Sequence, residues 1–422
     1  MTVVWAGPLC TTLLGDLGAE VIRLDNPNLF PTATRGAIPR PRPGLEWELG
    51  QYWSGFPDGD GGDRPWNRVA AFLIHARGKK SATLDLRTEL GRTTFLRLVA
   101  ESDVFVENNS VKVLEQLGLD VATLREANPR LVVVRMPSLG LEGPYRDHIG
   151  FGAHMEALCG LTSLRGYRDL DPSSLDATYF MDPASGAAGA VATMAALRRR
   201  ERSGTGELVE IAQAENLLNY IGEYLIDTSL TGSPHERHGN RHPHRAPQGV
   251  YPCLGADRWI SLSVPDDAGW RSLVELMGSP QWALRPELAT EDGRRDHHDL
   301  IDQELAAWTA GHERFALAET LRSAGVEAGP VMDEADVFAD PQLGERGFFR
   351  SNRSSDVPDT LFPGHLWHWD GPPLAWGELN VMGRDNDEVY RGILGLSDAE
   401  MAALAEEGHL ADGYRGPDGR PL

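Results

Sequence analysis

A chain of 422 residues with 41% hydrophobic content carries enough apolar surface for two or three domains of globular core rather than disorder. Its net charge of −22 argues against nucleic acid or an anionic membrane as a partner, although basic residues gathered locally can still hold an anionic ligand. Three widely spaced cysteines (Cys10, Cys159, Cys253) lack metal-ligand spacing and suit a reducing compartment. No apolar run reaches membrane-spanning length and Met1 to Pro8 does not read as a secretory leader, so a cytoplasmic protein is expected.

The opening reads as a compressed βαβ unit. Val3-Val4-Trp5 is a short strand, Cys10 to Gly18 a helix with Leu13, Leu14 and Leu17 on one face, and Val21 to Leu24 the next strand. Residues 26–66 are rich in Pro, Gly and Arg; the tryptophans Trp47, Trp53 and Trp66 make this an ordered loop, with Arg35 in it. A segment at Ala70 to Ile74, a strand at Ser81 to Leu86, a helix from Glu89 to Ser102 and a strand at Val104 to Val106 follow. Val111 to Leu117 and Val121 to Ala127 are short helices, and Leu131 to Met136 is a buried strand. This alternation predicts an α/β fold with a mostly parallel sheet. After a helix at Phe151 to Cys159, a long helix runs from Asp182 to Arg202, then a strand at Leu208 to Ile211 and a helix at Gln213 to Thr228.

Composition shifts at 229–249, a plausible domain boundary. Its four histidines (His235, His238, His242, His244) are interleaved with Pro and Arg and lack acidic or Cys partners at ligand spacing, so no metal site is expected. Strands at Trp259 to Val264 and Gly329 to Met332, with helices at Ala268 to Met277, His297 to Ala310 and Arg314 to Ala324, predict a smaller α+β domain. The large domain is therefore expected over 1–228, the small one over 229–332, and residues 333–422 should return to the first.

The stretch with most chemical content is Thr178-Tyr179-Phe180-Met181-Asp182-Pro183-Ala184-Ser185-Gly186. Asp182 stands where an N-cap belongs and Pro183 at the first helical position. Only small residues follow for two turns. A carboxylate at a helix start is held ionised by unpaired N–H groups and the helix dipole. Two readings follow: a carboxylate nucleophile beside an open surface, or an ordinary Asp-Pro helix start with close helix packing. No Walker-type loop, serine nucleophile elbow or HExxH motif is present, and Gly204-Thr205-Gly206 does not follow a strand.

A set of short motifs runs through the chain in order. Ala6-Gly7-Pro8 precedes Asp16-Leu17-Gly18-Ala19-Glu20-Val21-Ile22-Arg23-Leu24-Asp25. Lys80-Ser81 precedes Leu84-Asp85-Leu86. Asp103-Val104-Phe105-Val106-Glu107-Asn108, Asn128-Pro129-Arg130 and Gly143-Pro144-Tyr145 follow. Asp182, Arg200 and Gly204-Thr205-Gly206 form the next block, and Gly239-Asn240 with His242-Pro243, Ala324-Gly325-Val326, Asp340-Pro341 and Arg346-Gly347 complete it. In this order and spacing the chain resembles the class III coenzyme A transferases, a family that also contains the α-methylacyl-CoA racemases.

The resemblance implies a Rossmann-like large domain plus a small domain, and dimers whose chains interlock as rings. It implies acyl-CoA and a carboxylic acid as substrates, with no permanently bound cofactor, metal, nucleic acid or membrane partner. Asp182 would be the nucleophile, passing through a mixed anhydride and an aspartyl-CoA thioester. By position Arg35 would lie on the adenine side of CoA, and Leu84, Arg87, Asn108, Gln116 and Leu117 would line the CoA site. Gly239 and Asn240 would belong to a loop over the active site. Trp5 stands where transferases often have Gln, and Gly152 where the family usually has an acidic residue that steadies the Asp. The racemase alternative needs a histidine at the position of Phe151. A further alternative is a non-catalytic subunit paired with an active homologue, as a hetero-oligomer rather than a homodimer.

Overall fold

The computed structural model describes residues 1–41, 55–416 and 418–422, so residues 42–54 of the loop expected over 26–66, with Trp47 and Trp53, lie outside the described residues. The chain forms two compact units. One comprises Met1–Gly160, Ala177–Leu225 and Arg346–Leu422; the other comprises Leu161–Asp176 and Ile226–Glu345. Residues 161–176, which the sequence reading leaves in the large domain, thus belong to the second unit, as do residues 333–345.

The first unit is α/β with parallel strands. β1 (Val21–Asp25) pairs with β2 (Lys79–Thr83), and β3 (Val104–Glu107), β4 (Val132–Arg135) and β5 (Leu208–Glu210) pair in that order. Val132, Val133 and Val134 are fully buried, as a central parallel strand covered on both faces requires. The helix Ala6–Asp16 packs along the helix Met181–Ser203, and their contact joins Cys10, Leu13 and Leu14 to Val132, Val134 and Met136 of the sheet.

The C-terminal residues of this unit cover the remaining edge of β2. Asp385 accepts the Ser81 N–H at 2.6 Å, Asn386 accepts that of Thr83 at 2.8 Å, and the Tyr390 hydroxyl donates to the Thr83 carbonyl.

The strand expected at Val3 to Trp5 is absent: these residues form a turn leading directly into the helix, which starts at Ala6. Val4 has φ 57, which breaks an extended run, and the Asn108 side chain takes the place of a neighbouring backbone. Its amide accepts the Val3 N–H at 2.8 Å and donates to the Val3 carbonyl at 2.9 Å.

The second unit is α+β. β6 (Gln248–Pro252), β7 (Trp259–Ser263) and β8 (Glu327–Val331) form an antiparallel sheet. Ile260, Leu262, Trp270, Leu273, Ile301, Leu305 and Leu317 make its core with the helices Asp267–Leu276, His298–Thr309 and Arg314–Ser323. A further antiparallel pair, β9 (Phe349–Asn352) with β10 (Thr360–Pro363), lies in the first unit. No helix among the described residues is long and apolar enough to cross a membrane.

Candidate active site

The site is built on the start of the Met181–Ser203 helix. Tyr179 has φ 51, a left-handed conformation that turns the chain sharply. Phe180 already has helical angles, so the helix reaches back further than the sequence suggests. Asp182 is therefore its second residue and not the N-cap. Pro183 comes third, still within the first turn, where a missing N–H leaves no bond unmade.

The small residues after Asp182 do not leave an open surface on that face. They admit the neighbouring helix. A Cβ on Gly186 would stand 2.8 Å from the Ala6 carbonyl oxygen, and one on Gly189 would stand 3.1 Å from Cys10 Sγ and from Met136 Sδ. This is the close helix packing that the second reading of the stretch expects.

Asp182 is 7% exposed. Across from it lies Gly152, the first residue of the helix Gly152–Leu158, where an added Cβ would be 2.5 Å from Asp182 Oδ2. The absent side chain at 152 is the space the carboxylate occupies. One turn further along that helix is Glu156, which is fully buried. Its carboxylate accepts the Thr178 N–H (3.0 Å), the Thr178 hydroxyl (2.7 Å) and the Phe180 N–H (3.2 Å). Glu156 therefore holds the segment that delivers Asp182.

The electrostatics differ from the sequence expectation of a firmly ionised group. Burial and then the negative charge of Glu156 push the Asp182 carboxyl up to about 6, against a backbone hydrogen bond that pulls it down. The result is a carboxylate that is ionised at neutral pH, poorly solvated and close to its titration point, the condition in which a carboxylate is a competent nucleophile.

The other residues singled out from sequence fall in several neighbourhoods. Trp5 precedes the first helix, whose Ala6 carbonyl meets Gly186, and its ring lies 6.1 Å from that of His75. Asn108 directly follows β3, and its side chain is bonded to Val3. Gln116 ends the helix Lys112–Gln116 and is exposed; Leu117 beside it is half-buried.

Leu84 directly follows β2, is buried, and donates its N–H to the Asp25 carbonyl at 2.9 Å. Arg87 forms a two-point ion pair with Asp85 at 2.9 and 2.6 Å and keeps half its side chain exposed. Arg35 sits in a short helix, Thr32–Arg35, and not in open loop. Its guanidinium is enclosed, bonded to Asp25 at 2.7 Å, to the Trp66 carbonyl and to Asn67, and stacked 3.6 Å from the Phe72 ring centre. Asp25 and Leu84 thus mark the C-terminal ends of the parallel pair β1–β2, and Asn108 that of β3 in the parallel β3–β4–β5 sheet, the strand ends at which open α/β sheets bind ligands.

Phe151 precedes the Gly152 helix and is 43% exposed; its N–H is donated to His154 Nδ1 at 3.2 Å. Gly239 and Asn240 lie in the second unit. Gly239 is pressed against the Tyr167 ring, and the Asn240 amide donates to the Tyr167 hydroxyl at 2.6 Å. Asn240 borders a cavity of about 590 Å³ that Arg237, Arg241, Tyr251 and Asp302 also line.

Sequence reasoning missed Glu156. The signal was available: it lies four residues after Gly152, on the same helix face, and is the one acid of that helix.

A profile of CoA-transferase family III matches residues 1–378. The chain is 31% identical over 409 residues to succinyl-CoA–D-citramalate CoA-transferase of Chloroflexus aurantiacus, covering 94% of this chain and 93% of that protein. It is 31% identical over 367 residues to succinate–glutarate CoA-transferase of Agrobacterium fabrum, covering 86% of this chain and 84% of the relative. Its fold superposes on the crystal structure of a CAIB/BAIF family protein from Brucella suis with a TM-score of 0.81 and 26% identity, covering 93% and 97% of the two chains. The chain belongs to CoA-transferase family III, and it is an enzyme that transfers CoA.

Proposed function

We propose that the protein is an acyl-CoA:carboxylate CoA-transferase with Asp182 as its covalent nucleophile. The observation that carries this reading is a buried carboxylate, pushed up to about 6, facing the empty side-chain position of Gly152. In the first step the Asp182 carboxylate attacks the thioester carbonyl of the donor, and CoA thiolate leaves a mixed anhydride. The thiolate attacks the aspartyl carbonyl of that anhydride, releasing the donor acid and forming an aspartyl-CoA thioester. The acceptor carboxylate attacks this thioester, and the returning thiolate takes the acceptor acyl group, which frees Asp182. Every step exchanges one acid derivative for another of similar energy, so no proton need be moved in any of them.

Leu84, Arg87, Asn108, Gln116 and Leu117 are assigned to the CoA site, with Arg35 behind it. Supporting this, three strand ends bring Leu84, Asn108 and the Asp25–Arg35 pair forward. The names of the relatives make succinyl-CoA the first donor and dicarboxylic acids the first acceptors to examine. The reading includes an interlocked homodimer in the cytoplasm. Val191 and Met194 on the Asp182 helix are exposed apolar residues that a second copy would cover, and the three cysteines are unpaired. Racemisation needs a second base opposite Asp182; position 151 is Phe, and the nearby His154 spends Nδ1 on a backbone N–H.

The test is exchange of CoA from succinyl-CoA to isotopically labelled acids, followed by mass spectrometry. The wild-type protein is expected to form labelled acyl-CoA, and Asp182→Ala to form none above background. Equal exchange by Asp182→Ala would overturn the assignment.

A further inference from the structure

This inference rests on the reading of Asp182 as nucleophile and deepens it. We propose that Glu156 is the positioning residue of Asp182: it fixes the 178–180 segment that aims the carboxylate and keeps a second negative charge beside it, so that neutral covalent forms of Asp182 are favoured over the free carboxylate.

The geometry supplies both halves. Three donors converge on the Glu156 carboxylate: the Thr178 N–H, the Thr178 hydroxyl and the Phe180 N–H. A carboxylate that only accepts is satisfied as an anion by such a set. These donors bracket Tyr179, whose φ of 51 is a conformation that persists only when its surroundings enforce it. Glu156 thus clamps both sides of the strained residue, two positions before the helix begins to carry Asp182.

The charge has a separate effect. With Asp182 ionised, two buried carboxylates repel each other. When Asp182 becomes an anhydride or a thioester it is neutral and the repulsion is gone. Ground-state repulsion relieved on bond formation lowers the barrier to the covalent step, because only the difference between the two states counts.

Other titratable groups on the elements packed against the Asp182 helix do not substitute for Glu156. Cys10 on the first helix is pushed up to about 12, mainly by burial, and stays neutral. Asp16 and Arg135 are paired with Arg77 and Glu107. His154 on the Gly152 helix, Glu210 on β5, and Glu215 and Tyr220 on the helix Gln213–Tyr220 occupy exposed positions.

The experiment is a ¹³C carboxyl titration of protein carrying ¹³Cγ-aspartate, with the Asp182 signal assigned by its loss in Asp182→Asn. The wild-type midpoint is expected near 6. In Glu156→Gln it should fall, while staying above the ordinary aspartate value because burial persists. If Glu156→Gln does not fold, Glu156→Asp withdraws the charge by one methylene and should also lower the midpoint. An unchanged midpoint in a folded variant would overturn the proposal.

The second readout is the fraction of Asp182 trapped after succinyl-CoA at pH 8, where the carboxylate is ionised in both proteins. It should drop at least about threefold in Glu156→Gln, and an equal fraction would remove the covalent half of the argument. If wild type itself traps nothing with a broad panel of donors, the nucleophile assignment fails, while the titration still decides whether Glu156 acts on Asp182.

Discussion

Asp25 and Asp182 are buried carboxylates of the same unit, yet they lie at opposite ends of the carboxylate range. Asp25 closes β1 and sits between Arg23, at 3.1 Å, and Arg35, at 2.7 Å. Burial alone would push it up, but the two guanidinium groups outweigh burial and hold it down at about 2. Asp182 is buried to a similar degree, has Glu156 beside it in place of an arginine, and is pushed up to about 6. A carboxylate that holds the fold together is neutralised by its partners. Asp182, the proposed nucleophile, is instead set beside a second acid and constrained by geometry, and the structure bears the cost of keeping it so.

The comparison is sharpened most by Asp182→Asn. Removal of the proposed nucleophile should lower turnover at least about 10³-fold, yet the folded protein should become more stable at pH 7. The sign follows from the titration. The folded state binds the Asp182 proton more tightly than the unfolded chain, so ionised Asp182 costs stability above about 6. That cost fades as pH falls from about 6 towards about 4, the unfolded value. At neutral pH it is on the order of 2 to 3 kcal/mol. Urea melts at pH 7 should favour the Asn variant, and the gap should narrow as pH falls below about 6 and close near about 4. Asp25 has the opposite sign: its contribution is present above about 4 and is lost as pH falls towards about 2.

Arg35→Ala comes next. It leaves Asp25 with one partner and empties the space against Phe72. A loss of about 3 kcal/mol of stability is expected, visible as a lower urea midpoint without CoA present. A variant with unchanged stability and only weakened CoA binding would assign Arg35 to the ligand alone. Smaller is Gly152→Ala. Its Cβ would stand 2.5 Å from Asp182 Oδ2, so the carboxylate must move. A displacement of about 1 Å at a reacting group costs about 10²-fold in rate, so kcat should fall by that order while the melting curve stays close to wild type.

The central parallel strands were legible because Val104 to Val106 and Leu131 to Val134 are unbroken apolar runs between helical patterns. The Asp182 helix was legible from its Asp-Pro start and from Gly204, which caps it with φ 76. The missing first strand was not legible, because Val3 is held by the Asn108 side chain from 105 residues away. Nor was the helix start at Met181, which follows from the turn at Tyr179 and not from the residue types around Pro183. The proton affinity of Asp182 escaped the sequence for the same reason. A helix start predicts a stabilised anion, and what reverses this is burial, followed by the charge of Glu156 on another helix. Local rules place a carboxylate; its neighbours in space decide how it titrates.

The most direct test of the central claim is the mass of the Asp182 peptide after incubation with succinyl-CoA and quenching with hydroxylamine, taken from pH 5 to 8. The account predicts a hydroxamate on Asp182 whose yield rises through a midpoint near 6 and is absent in Asp182→Ala. A chain that exchanges CoA with Asp182 unmodified at every pH would contradict it.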